Sequence, residues 1–391
     1  MKKLSDRTAG FTDSIIRRMT RISNQYGAVN LSQGFPDIQP PKEITDRLAR
    51  VAGEGPHQYA LTWGAQNFRE ALARKQEHFS GMKVDPEKEI VVTCGSTEAM
   101  MASILAITDP GDKVVIFSPF YENYGADAIL SGAEPVFVPL VPPEFTFQPE
   151  VLEDAFQKGA KAMILCNPSN PCGKVFTYEE LKVIADLAIK YDIYVITDEV
   201  YEHIVYAPNK HVYLATLPGM RERTVICSSL SKTYSITGWR LGYVIAPGEI
   251  TDRIRKVHDF LTVGAAAPLM EAAVAGLTFP EEYYQELQEE YTHKKDLFVQ
   301  GLEKLGFTFH EPQGAYYVLV DVEKFGVKDD VRFCEWLAQY IGIGTVPGSS
   351  FFQDASSRYI RLHFAKQDSV LLEALKRLKV LKEKGGKTDG I

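Results

Sequence analysis

The side chains best suited to chemistry fall in one stretch, Ser229-Leu230-Ser231-Lys232-Thr233-Tyr234, followed by Ile236-Thr237-Gly238-Trp239-Arg240-Leu241-Gly242-Tyr243. Here a lysine is flanked by hydroxyls, followed by an arginine eight positions on, and set between two apolar runs. That is a sheltered amine beside a candidate anion site. Desolvation and a nearby positive charge both lower an amine's pKa, so Lys232 is expected to be a nucleophile able to form a Schiff base and then to carry a proton. Taken alone, the stretch reads equally as a surface loop with a solvated lysine. The elements around it decide between the two.

Short apolar runs alternate with helix-length segments from Glu89 onward: Ile90-Val91-Val92-Thr93, Val114-Val115-Ile116-Phe117, Pro135-Val136-Phe137-Val138, Ala162-Met163-Ile164-Leu165, Tyr194-Val195-Ile196-Thr197, Thr224-Val225-Ile226-Cys227 and Gly242-Tyr243-Val244-Ile245. Runs apolar on both faces fit central strands of a buried, largely parallel sheet. The linkers carry helix signals, such as the capping box Thr177-Tyr178-Glu179-Glu180 with Leu181, Ile184, Ala185 and Ala188 on one face. The expectation is an α/β fold with a seven-stranded, mostly parallel sheet built from crossover units.

Ligands of such sheets sit beyond the carboxyl ends of the strands. The residues there are Gly95-Ser96-Thr97, Pro119-Phe120-Tyr121, Asn167-Pro168-Ser169-Asn170-Pro171, Asp198-Glu199-Val200-Tyr201 and Ser229 to Lys232. Singly, each has a plain structural explanation: a helix cap at Gly95 to Glu98, a loop cap at Asp198, a turn at Asn170, core packing for Tyr121 and Tyr201. Together they ask for one ligand. A glycine turn at a helix N-terminus, with Ser96, Thr97, Ser229 and Arg240, would hold a phosphate if these strand ends are adjacent. Asp198 would face a protonated ring nitrogen, Tyr121 would stack on a flat ring, and Lys232 would capture an aldehyde. Those features describe pyridoxal 5'-phosphate.

Composition narrows the field. The chain has 391 residues, 45% hydrophobic and 24% charged, enough to bury a core without disulfides or metals, and no metal ligand set is assigned. A net charge of -8 argues against nucleic acid as the main partner, and no apolar run reaches the roughly 18 residues of a membrane helix. There is no GxGxxG and no Walker glycine-lysine loop, which disfavours dinucleotides and nucleoside triphosphates. The five cysteines lack a CxxC pair and read as free thiols. Met1 to Arg7 has no following apolar stretch, so a cytoplasmic location is expected.

Around the sheet, residues 1–40 read as an N-terminal arm that packs with a small domain, residues 41–280 as the large cofactor-binding domain, and residues 281–391 as a small C-terminal α+β domain. The last contains two strands expected to alternate, Gly314 to Val320 and Tyr359 to Phe364, and a polar tail from Lys382 to Lys387 expected to fray.

The stretch Ser229 to Pro247, with Asp198-Glu199-Val200-Tyr201, Asn167 to Gly173 and Tyr359-Ile360-Arg361, closely resembles the class I/II aminotransferases of the aspartate aminotransferase superfamily, PLP fold type I. Gln33-Gly34-Phe35-Pro36-Asp37 and Asp198 to Tyr206 are most similar to the kynurenine, glutamine and methionine aminotransferase branch. The resemblance implies that Lys232 carries the cofactor and shuttles the proton, Asp198 holds the pyridine nitrogen, Asn170 and Tyr201 bond the ring's phenolic oxygen, and Tyr121 stacks. It implies that Gly95, Ser96, Thr97, Ser229 and Arg240 hold phosphate, with Tyr59 reaching it from a partner subunit, and that Arg361, helped by the Gly34 backbone and Asn170, clamps the substrate α-carboxylate. A homodimer with shared active sites follows. The implied activity is ping-pong transfer of an amino group from methionine, glutamine, an aromatic amino acid or kynurenine to a 2-oxo acid. Two alternatives use the same residues: a carbon-sulfur β-lyase, and a non-catalytic cofactor-binding regulator, which this chain's lack of a basic helix-turn-helix disfavours.

Overall fold

The computed structural model describes residues 2–11, 13–355 and 358–383. All seven apolar runs form strands of one sheet. Their order across it is Ile90–Thr93, Gly242–Ile245, Thr224–Ser229, Tyr194–Asp198, Ala160–Cys166, Lys113–Ser118 and Glu134–Pro139. Gly242–Ile245 runs antiparallel to both its neighbours, and every other pairing is parallel. Helices cover both faces, burying Val91, Ile116 and Ile196 under one layer and Val115, Met163 and Val195 under the other. The capping box is present: Thr177 Oγ1 accepts from the Glu180 N–H, and Glu180 returns a bond to the Thr177 N–H. The helix Tyr178–Lys190 then buries Leu181, Ile184, Ala185 and Ala188.

The helix Glu281–Lys304 leads to a second, antiparallel sheet ordered Val346–Pro347, Tyr359–His363, Tyr317–Asp321 and Thr308–Phe309. The N-terminal segment joins this unit, because Val29–Asn30 pairs in parallel with Ile343–Gly344 and Met19 and Leu31 enter its core. One expectation is corrected here. The strands Tyr317–Asp321 and Tyr359–His363 do not alternate between buried and exposed; nearly every residue is buried. Val318, Val320, Ile360 and Leu362 pack in this unit's own core, while Leu319 packs against the large sheet's layer and Arg361 turns to a cavity between the units. A sheet pressed against a second unit has no free face to be polar. Of the predicted tail, residues 384–387 lie outside the described residues.

Candidate active site

A cavity of about 470 Å3 opens beyond the carboxyl edge of the large sheet, lined by Ser96, Thr97, Tyr121, Asn170, Asp198, Tyr201, Ser229, Lys232, Arg240 and Arg361, among others. Strand register builds its anion end. Thr93 and Ser229 both pair with Gly242, from opposite sides, so the Gly95 turn, Ser229 and the Arg240 loop meet at one place. Space there is tight enough to require glycine. Gly95 has φ +86°, and a Cβ on it would run into the Arg240 guanidinium; a Cβ on Gly242 would strike the Gly95 and Ser96 backbone. Ser96 opens the helix Ser96–Ile107, whose N–H groups and partial positive charge face the same spot. Glu98 locks the turn from outside, accepting from the Cys94 N–H, His258 and Thr262. These bonds outweigh burial and hold its carboxyl below the usual range.

Lys232 stands next to this cradle, partly exposed, and the space its side chain meets is the cavity. Its Nζ donates to the Gly34 carbonyl at 2.9 Å. Burial pushes the amine down to about 8, with Asp198 pulling upward and Arg240 and Arg361 adding to the downward push. At neutral pH such an amine offers far more of its reactive neutral form than an ordinary lysine does. Asp198 ends its strand 6% exposed. It accepts from the Tyr124 hydroxyl at 2.7 Å and from the Val200 N–H at 3.3 Å. Burial nevertheless raises its carboxyl to about 6, the state of a buried carboxylate whose hydrogen bonds and nearby Lys232 do not fully offset its desolvation.

A second group of lining residues centres on a buried guanidinium. Arg361, 1% exposed, donates from Nη1 to Asn170 Oδ1 at 2.7 Å and from Nη2 to the Ser32 carbonyl at 2.8 Å. Tyr317 and Phe351 sit against its guanidinium at 4.4 and 4.7 Å. Its Nε has no partner among the described residues. Because Asn170 spends its oxygen on Arg361, its amide N–H remains as a donor towards the cavity. Tyr201 and Tyr317 share a hydroxyl hydrogen bond of 2.9 Å. Gly34 lies so close to the Tyr317 hydroxyl that a Cβ would overlap it, which leaves the Gly34 carbonyl free to accept from Lys232 and from Tyr316.

The structure thus brings together every predicted cavity residue except Tyr59, whose ring is 88% exposed on its loop. Sequence reasoning passed over Tyr124, Tyr317, Arg17 and Glu122 as site residues, all of which line the cavity. Tyr124 could have been found, since it falls one helical turn after Tyr121. Arg17 could not, because nothing in sequence spacing brings the N-terminal helix Ile15–Gln25 over the sheet.

A doubly wound sheet with this edge defines a PLP-dependent protein of fold type I, and the residues fit the cofactor. The Gly95–Arg240 cradle suits its phosphate, the incompletely offset charge of Asp198 its ring nitrogen, the Asn170 amide its ring oxygen and the lowered Lys232 amine its aldehyde. Comparison with known proteins agrees. The model of the family described as aminotransferase class I and II matches residues 26–378. The methionine aminotransferase of Escherichia coli is 37% identical over 369 residues, covering 94% of this chain and 96% of its own. The human kynurenine--oxoglutarate transaminase 3 is 35% identical over 396 residues, covering 94% of this chain and 87% of its own. The structure of N-succinyldiaminopimelate aminotransferase from Mycobacterium tuberculosis superimposes with a TM-score of 0.94 at 33% identity, over 97% of this chain and 100% of that one. The chain belongs to the class I and II aminotransferase family. It is a PLP-dependent amino-acid aminotransferase, acting on amino acids and 2-oxo acids.

Proposed function

We propose that this aminotransferase takes the amino group from an uncharged amino acid, such as methionine, glutamine, an aromatic amino acid or kynurenine, and passes it to a 2-oxo acid in a second half-reaction. The observation that carries the reading is the placement of Arg361, buried and held at two points, in the cavity that also contains Lys232 and Asp198. The relatives named for methionine and kynurenine support the donor range. When bound, PLP supplies an electron-withdrawing ring that stabilises negative charge at the substrate α-carbon. The chain's own residues do the rest. Arg361 orients the α-carboxylate, Asp198 stabilises a protonated ring nitrogen with Tyr124 holding the carboxylate in place, and Asn170 and Tyr201 bond the ring oxygen. Lys232 moves the proton at the α-carbon, its range of motion set by the Gly34 carbonyl. Gly95, Ser96, Thr97, Ser229 and Arg240 hold the phosphate, and Tyr121 covers the ring.

The proposed working unit is a homodimer with shared sites, in which Tyr59 serves the partner's phosphate. The support is a patch of exposed apolar side chains on one loop and the end of the helix Gly248–Thr262 beside it: Tyr59 (88%), Leu61 (50%), Phe260 (90%), Leu261 (49%) and Val263 (47%). The two segments touch, since Gly264 lies against Thr62, and such a patch on an enzyme surface calls for cover. We take residues 1–40 as the arm, 41–280 as the large domain and 281–391 as the small one. A cytoplasmic location accords with five free thiols.

The test is a panel of amino acids added to the holoenzyme without acceptor, followed through the visible spectrum of the cofactor. Methionine, glutamine or an aromatic donor should convert it, and a 2-oxo acid should restore it. Lys232→Ala should end borohydride trapping of the cofactor on the protein; trapping that persists would remove Lys232 from its role.

A further inference from the structure

One of the cationic side chains lining the cavity has no part in the reading proposed above. Four cationic side chains line it, Arg17, Lys232, Arg240 and Arg361, with two anionic ones, Glu122 and Asp198. On the reading proposed above, Lys232 takes the aldehyde, Arg240 the phosphate, Arg361 the α-carboxylate and Asp198 the ring nitrogen. Glu122 is engaged by the Ser14 hydroxyl. Arg17 is left over.

Its neighbours show that this is not the rule for this helix. Arg18 pairs with Glu335 and Arg21 with Asp13. Arg17 makes no ion pair or side-chain hydrogen bond among the described residues; only its backbone N–H is used, donated to the capping Ser14. The helix that carries it is nevertheless fixed over the cavity. Ser14 ties its start to Glu122, at the head of the helix Glu122–Ser131, and Thr20 bonds Gln33, the residue before Gly34. Ile16 and Gln33 line the cavity beside Arg17. An exposed guanidinium is thus carried on an anchored frame in the lining of the cavity that also contains Arg361.

We propose that Arg17 is a specificity-determining residue that receives the distal carboxylate of a dicarboxylic 2-oxo acid, making a five-carbon dicarboxylate the preferred amino-group acceptor. A two-half-reaction site must admit donor and acceptor in turn. An exposed arginine suits both: with an uncharged donor its head stays in water at little cost, and with a dicarboxylate it offers a planar fork to the second carboxylate. The proposal rests on the assignment of Arg361 to the α-carboxylate.

The experiment compares 2-oxoglutarate with 2-oxopentanoate, which has a methyl group in place of the distal carboxylate, as acceptors for holoenzyme already loaded with an amino group. Wild type should favour 2-oxoglutarate. In Arg17→Gln the ratio of the two kcat/KM values should fall at least about tenfold, the loss of one charge-assisted contact, and Arg17→Lys should retain part of the preference. Inhibition by glutarate, measured against pentanoate, should weaken in parallel, a binding readout free of chemistry. Arg361→Lys, run alongside, should depress both acceptors by the same factor. A ratio unchanged in Arg17→Gln overturns the Arg17 proposal and leaves the function standing. A wild type that reacts with no amino acid at all would instead remove the function.

Discussion

Replacing Arg361 with lysine should separate substrate binding from cofactor binding. The guanidinium already gives one N–H to Asn170 and one to the Ser32 carbonyl, and its Nε remains unpartnered. An incoming carboxylate therefore meets a planar group whose position is set by Asn170 and Ser32 on one side and by the Tyr317 and Phe351 rings across its faces. An ammonium cannot hold Asn170, Ser32 and both carboxylate oxygens at once. Losing one hydrogen bond between charged partners costs about 1.5–3 kcal/mol, or roughly ten- to 150-fold in the rate constant at about 1.36 kcal/mol per decade. That loss should appear in kcat/KM for methionine in a single-turnover half-reaction, followed by the cofactor's visible absorption. Cofactor affinity, titrated into cofactor-free protein, should change by less than about threefold, because the proposed phosphate cradle is built from different strands. Equal losses of both would refute the reasoning and make Arg361 a structural residue, as would a substrate effect below about threefold.

Two further substitutions probe the opposite walls. Asp198→Asn should stabilise the cofactor-free protein at pH 7.5 while weakening cofactor binding. The folded carboxyl is raised to about 6 from 3.8, so its contribution is favourable below about pH 4 and is lost as pH rises to about 6. Above that window the buried charge costs about 3 kcal/mol. Urea unfolding at pH 7.5 and at pH 4 should show the gap between variant and wild type narrowing in acid; a variant less stable than wild type at pH 7.5 would refute the account. Gly34→Ala places a methyl group against the Tyr317 hydroxyl and displaces the carbonyl that accepts from Lys232. The half-reaction should slow at least about tenfold, with a stability loss of about 1–3 kcal/mol typical of local overpacking. Unchanged turnover would show that the Gly34 carbonyl does not govern Lys232.

Much of this was legible along the chain. The runs Ile90–Thr93 and Gly242–Ile245 form strands at their predicted limits, because a strand buried on both faces must be apolar at every position and a polar residue ends it visibly. The polar residues just after such strands, Asp198 and Ser229 among them, mark the ligand edge for the same reason. The short strands of the second unit were misjudged, since Arg361 and His363, alternating with Ile360, Leu362 and Phe364, look like a solvent-facing alternation. Arg361 is polar because it faces a cavity between units, and local sequence does not distinguish a cavity from bulk water. Arg17 escaped notice for a related reason: a partnerless arginine and a paired one, Arg18, look the same until Glu335 and the cavity are in place.

Residue types announced a sheltered lysine, a buried aspartate and a glycine turn opening a helix, because each carries a local signature of glycine, hydroxyl or apolar neighbours. Whether they met was a matter of strand order and direction. Arg240 precedes the strand Gly242–Ile245, and in a parallel strand it would have lain at the amino edge, far from Gly95 and Ser229. That strand runs antiparallel between Ile90–Thr93 and Thr224–Ser229, which turns its beginning to the carboxyl edge of the others. Strand direction is decided by pairing across the sheet, here with the preceding strand Thr224–Ser229 and with the distant Ile90–Thr93, and only the folded chain contains that information.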